Sequence, residues 1–409
     1  MNKQNPRTIY FAILSIVFVS KLLEIVSPAI QSIGMALNVP YTSLMLIMTI
    51  PVLVSIPVTL LVGFITGNIF RYRTVLSFGL LLMAVAGMAP FFLREWTLIL
   101  VARGLFGVGQ GIIMPIVLAL IFRLVATEKQ ATLMGMQNVV AGVAGMVFSF
   151  ASGILASMSW TYPFLLNAVT IVSFIIVLIF LPEPAKQEKP AGLPDQALPD
   201  QALPKPSGGI PAGFWVYVII MFVFSVLNFP SMGNISIVLD ELGMSPAMAG
   251  TALMLMTCGT LVAGLIFGAV FKRIGLKTIA LGFFASCIAQ LLMATGTVFA
   301  SFAIGMFLVG FGGLGMAFAG LFMASGKSVG PEKSSVVMSI TMTGMNVGLF
   351  ISPFIFSAVM MAVGIPSMRL PYWIALVGFA VLGVIGLLVK QAAPKGLAQA
   401  PDGGEATEA

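Results

Sequence analysis

Long apolar runs with almost no charge inside them constrain this chain more than any other feature. They recur at about 9–35, 43–66, 75–93, 97–122, 131–157, 161–181, 213–238, 247–271, 278–298, 301–325, 335–363 and 370–389. About 20 apolar residues in a helix cover the hydrocarbon core of a bilayer. A helix also satisfies its own backbone hydrogen bonds where water is absent. Barrel strands would instead read as alternating segments of about 10 residues. Only 8% of residues are charged and 59% are hydrophobic, where a soluble domain carries about 25% charged residues. The expected fold is an all-α membrane protein of twelve transmembrane helices. The first run is too long for a cleavable signal peptide and reads as the first span.

The basic residues orient these spans. Twelve spans put both termini on one side, and sixteen of the 20 Lys and Arg residues fall in the connections or ends on that side. Arg94 and Arg369 lie opposite, and Lys21 and Arg103 fall inside spans. Such a bias places both termini in the cytoplasm of a multi-pass inner or plasma membrane protein. It also accounts for the net charge of +7 without nucleic acid, because the basic residues are spread over separate segments. Residues 182–211, with their LPDQA-LPDQA repeat, are rich in Pro and polar residues. That composition cannot bury enough apolar surface to fold alone. The expected organisation is a six-helix half at 1–181, a disordered cytoplasmic linker at 182–211, a second half at 212–390 and a disordered tail at 391–409.

The halves echo each other at an offset of about 204 residues. Gly107-x-Gly109 corresponds to Gly310-x-Gly312, and Gly63 to Gly268. An even number of spans per half gives both the same orientation, a parallel repeat with the substrate site between the halves near the midplane. On these features the chain resembles the major facilitator superfamily, over nearly its whole length. That family's turn after the second helix, G-x-x-x-D-R-x-G-R-R/K, is better kept in the second half, as Gly268-Ala-Val-Phe-Lys272-Arg273-Ile-Gly275-Leu-Lys277. In the first half Gly63, Arg71 and Arg73 keep only its two ends. The fourth-helix pattern R-x-x-x-G-x-x-x-G is present as Arg103, Gly107 and Gly111. The antiporter Gly-Pro pair of the fifth helix is missing among Gly142, Gly145 and Gly153. The resemblance implies a secondary transporter, with Arg103 tied to neighbouring helices and involved in coupling.

Three charges stand inside spans: Lys21, Glu24 and Arg103. An intramembrane charge costs about 2.5–3.5 kcal/mol on insertion scales, so it faces a partner or a watery cavity. Lys21 and Glu24 are three residues apart and can pair on one helix face. Ser20, Glu24, Ser27 and Gln31 form one polar stripe at helical spacing, the expected lining of a pathway. Glu24 is the only acidic residue within a span. It is the expected proton-coupling site, with Lys21 as counter-charge or anion contact and Arg103 as a group that could steady Glu24. Glu24 corresponds to Asn228 and Lys21 to Ser225, so the second half offers neutral groups. Lys21, Asn228, Asn234, Asn346, Gln110 and Asn138 are the expected substrate contacts.

No His is present, and Cys258 and Cys287 lack metal-ligand spacing, so no metal, cofactor or enzymatic centre is expected. Gly320 to Ser328 resembles a phosphate-binding loop but has five residues between its glycines and ends a transmembrane helix. The reading is a monomeric secondary active transporter of a small organic solute, driven by a proton or other ion gradient. The three intramembrane charges sum to +1, which favours an organic anion. A proton-driven multidrug or metabolite exporter and a non-transporting membrane sensor are the alternatives.

Overall fold

A computed structural model describes residues 6–66, 70–125, 127–183, 212–328, 331–364 and 367–388. Most of the linker and the whole tail lie outside them. The described residues form twelve apolar helices, eleven of them long and apolar enough to cross a membrane. In the first half these are α1 (Arg7–Leu37), α2 (Leu46–Ile65), α3 (Tyr72–Phe92), α4 (Trp96–Leu124), α5 (Thr127–Met158) and α6 (Tyr162–Phe180). The second half has α7 (Ala212–Gly233), α8 (Pro246–Ile274), α9 (Lys277–Thr295), α10 (Phe299–Gly326), α11 (Pro331–Val363) and α12 (Leu370–Leu388). The face where α1 begins and α12 ends is the termini side; the opposite face is the far side.

Two expected helices differ in detail. The helix α2, Leu46–Ile65, agrees with the expected run 43–66 but is preceded by a separate helical turn, Tyr41–Leu44. The run 213–238 is not one helix: it breaks at Asn234 and resumes as the short helix Ile235–Glu241. Gly233 and Asn234 are poor helix formers, which lets the chain turn there.

The repeat is visible in packing as well as spacing. A Cβ on Gly109 would stand 2.7 Å from Gly79 O, and one on Gly312 would stand 2.7 Å from Gly282 O. Gly107 lies against the backbone of Pro51, and Gly310 against Met256 O. Thus α4 meets α3 and α2 as α10 meets α9 and α8. Close backbone approach through small residues holds helices together where lipid gives no hydrophobic force between them. One apolar core fills the first half and reaches Phe229 and Ile237 of the second, whose own apolar residues form two clusters, one around Phe224, Phe283 and Phe379 and one around Leu253, Met293 and Phe302.

The halves differ in the winding of three helices. Tyr162–Ala168, which opens α6, is a 3-10 helix, where α12 is regular. Lys21–Ala29 in α1 is wound as a tight 3-10 helix. Val309–Ala317 in α10 is wound wide as a π-helix, where α4 is regular.

Candidate functional site

The tight stretch of α1 contains Pro28, which has no N–H to return to a carbonyl one turn back. Carbonyls along this part of α1 are then bonded from outside. Gln110 Nε2 on α4 donates to Ser20 O at 3.1 Å. The Ser152 hydroxyl on α5 donates to Ile25 O, and the Ser236 hydroxyl donates to Pro28 O at 2.8 Å. In a bilayer such groups must be satisfied by protein. The middle of α1 is therefore fixed by α4, α5 and the second half together.

Lys21 Nζ donates to Glu24 Oε1 at 2.8 Å; the side chains are 35% and 22% exposed. The other carboxylate oxygen, Oε2, points to α5, 3.7 Å from where a Cβ on Gly145 would be. Thr257 of α8 meets the same point from the second half, its Oγ1 at 3.4 Å. The intramembrane carboxylate thus stands at the seam between the halves.

Among the described residues that seam, α5 against α8, is closed on the far side and open toward the termini. A Cβ on Gly153 would be 2.8 Å from Gly250 Cα, and Gly142 is pressed on Leu261. Beyond them Gly135, Gly264 and Gly268 meet nothing within 4 Å among the described residues. Six hydrogen bonds join the halves on the far side. Tyr41 Oη donates to Asn234 Oδ1 at 2.7 Å, and Gln31 Nε2 to Asp240 Oδ2 at 3.1 Å. Thr42 and Ser357 share one at 2.7 Å. Ser27 donates to Met232 O, Ser236 to Pro28 O, and the Ala247 N–H to Ser157 Oγ. The polar stripe of α1 is therefore largely a latch: Ser27 and Gln31 hold the second half, and Glu24 sits at the inner edge of the closure.

A family model described as Major Facilitator Superfamily matches residues 9–232 and 214–407, one stretch over each half. The chain belongs to the Major Facilitator Superfamily. No curated protein matches the sequence. Solved structures share the fold at low identity. A mutant of the nucleoside transporter NupG aligns with a TM-score of 0.74 at 12% identity, over 94% of this chain and 99% of that one. The POT family transporter PepTSo gives 0.72 at 11%, over 94% and 98%. A bacterial homologue of the human lysosomal transporter Spinster, inward-facing and unoccupied, gives 0.67 at 13%, over 95% and 96%.

Within this Major Facilitator Superfamily transporter the remaining candidates disperse. Arg103 is fully buried on α4 and turned toward α2, not toward Glu24. Its Nε donates to Ile47 O at 2.9 Å, its guanidinium carbon lies 4.8 Å from the Phe106 ring centre, and its two terminal nitrogens have no protein partner. Its charge is thus withdrawn from the seam. Gln110 Nε2 is engaged by Ser20 O and Asn234 Oδ1 by the far-side latch, leaving Gln110 Oε1 and Asn234 Nδ2 without a partner among the described residues. Asn228 is buried toward α9 and α10, its Oδ1 near Gly313 and without a partner. Asn346 is half-buried on α11, and Asn138 is exposed on α5, one turn termini-ward of Gly142 where the halves have parted. A cavity of about 400 Å³ between α7 and α11, lined by residues such as Val218, Phe222 and Val347, contains none of the candidates. Sequence reasoning passed over Thr257, Tyr41 and Asp240. A lone hydroxyl in an apolar span carries no signal, and the other two lie at span ends where polar residues are ordinary.

Proposed function

We propose that the protein is a proton-coupled secondary transporter of a small organic anion, working by alternating access in the plasma membrane with its termini in the cytoplasm. The observation that carries this reading is the Lys21–Glu24 pair at the seam of the two halves. Protonating Glu24 neutralises it and frees Lys21 Nζ. Lys21, about a third exposed, is then a cation available to a carboxylate or similar anion. Proton and anion bind through one pair, which is what couples them. An open termini side and a latched far side support a state that loads from the cytoplasm or releases into it.

A panel of organic acids, amines and antibiotics, screened by thermal shift of the purified protein, identifies the solute, since a ligand of the folded state raises apparent stability. Uptake into liposomes is then driven by a pH gradient alone. Glu24→Gln should fold normally and lose the gradient-driven flux. Wild-type flux in Glu24→Gln would sink the coupling role.

A further inference from the structure

We propose that Thr257 is the second-half partner of Glu24, the group through which the α8 side of the seam registers the proton. This rests on the reading of Glu24 as the proton site. The Thr257 hydroxyl donates its own hydrogen to Leu253 O at 3.2 Å, so its lone pairs are left to accept. Ionised Glu24 has no hydrogen to give, whereas protonated Glu24 gains one donor. Oε1 is held by Lys21, so Oε2 is the oxygen aimed across the seam. Gly145 makes the meeting possible: with no side chain it leaves Glu24 Oε2 and Thr257 Oγ1 facing the same small space. In this structure Glu24 is bonded to Lys21 and Thr257 to Leu253 O, not to each other; a proton on Oε2 supplies the donor that joins the halves across the space beside Gly145.

Cys258 Sγ, which donates to Met146 Sδ at 3.0 Å, also crosses this seam one residue along; the charged groups nearby face elsewhere. Lys21 is on the same helix as Glu24. Arg103 on α4 is turned to Ile47 O, and Asp240 of the short helix accepts from Gln31, two turns farther along. Glu241 is on the far side near Arg369. Tyr162 at the start of α6 is exposed. On α5 no charge lies between Leu133 and Met158, and on α8 none between Pro246 and Phe271.

The test needs no substrate. Infrared difference titration of the purified full chain reads the protonated carboxyl band, assigned to Glu24 by its loss in Glu24→Gln. Thr257→Val keeps the shape and removes the hydroxyl. It should need roughly three- to tenfold more protons for half-saturation, the ratio that loss of one hydrogen bond represents. Thr257→Ser restores the hydroxyl and should titrate as the wild type does. If the band titrates, vanishes in Glu24→Gln, and is unmoved in Thr257→Val, the Thr257 proposal is overturned while Glu24 stands. A displacement in Thr257→Ser equal to that in Thr257→Val also overturns it, since packing rather than the hydroxyl would then be responsible. If no band depends on Glu24, the coupling reading itself has failed.

Discussion

The two halves repeat their packing and diverge in their polar groups. Gly109 on Gly79 and Gly312 on Gly282 are the same contact made twice. Yet where the first half has Lys21 and Glu24, the second has Ser225, bonded to its own helix at Met221 O, and Asn228, buried against α10. Four residues before Gly107 stands Arg103; four before Gly310 stands Met306, fully buried. Backbone-to-backbone contacts tolerate no added atom, so they persist in both halves. Polar positions inside a membrane are costly, so a charge remains only where something uses it. Substitutions that copy one half into the other can break this contrast or sharpen it.

The largest effect belongs to the shared packing. Gly310→Ala drives a methyl into Met256 O and should cost about 3 kcal/mol or more, at the upper end for overpacking. Gly107→Ala meets Pro51 less severely and should cost less. Thermal unfolding in detergent ranks the two, and a reversed order would mean that the second half is not the tighter copy.

Copying the neutral residues into α1 comes next. Lys21→Ser strands Glu24 and should destabilise by about 2 kcal/mol, below the ~3–5 kcal/mol of a fully buried broken pair because Lys21 is partly exposed. Lys21→Ser with Glu24→Asn reproduces the second half and should recover most of that loss, while any proton-driven flux stays absent. A double variant no more stable than Lys21→Ser would show that the pair does not act as a unit.

Arg103→Met copies Met306. The guanidinium has one hydrogen bond and two unpartnered nitrogens, and replacing a buried charge by an apolar side chain is often neutral or stabilising by about 1–4 kcal/mol. A gain of about 1 kcal/mol in unfolding stability is the expected result. A large loss would show that the charge holds α4 to α2 and that the halves differ there in structure rather than in use.

Much of this was legible in the residues. Hydropathy marks the spans because the bilayer imposes their length. Spacing marks the repeat because glycine contacts cannot drift. The Lys21–Glu24 pairing follows from three residues of helical offset. The tight winding of α1 was not legible, since prolines sit inside regular α-helices elsewhere in the chain. The wide winding of α10 was not legible: Gly310, Gly312, Gly313 and Gly315 permit departure from α geometry without saying which way. Nor were the destinations of Arg103 and Asn234, because a polar residue in a span needs a partner and the sequence does not say on which helix. Thr257 acquires meaning only once α8 is laid against Gly145.

The smallest effect tests where the halves meet. Tyr41→Phe removes a hydroxyl that one half lends to Asn234 of the other, and Asn234 Nδ2 already has no protein partner. One hydrogen bond is worth about 1 kcal/mol, a roughly fivefold change in a two-state equilibrium. That is too little to unfold the protein, and it weakens the far-side closure without touching the seam at Glu24. Spin labels at Met35 and Ser245, on the far side of each half, should therefore report a larger share of the longer distance in Tyr41→Phe. Thr42→Val, which breaks the bond to Ser357, should act in the same direction. Distance distributions unchanged in both variants would mean that these two bonds are incidental, and that closure rests on the glycine contacts of α5 and α8 and on the four other far-side hydrogen bonds.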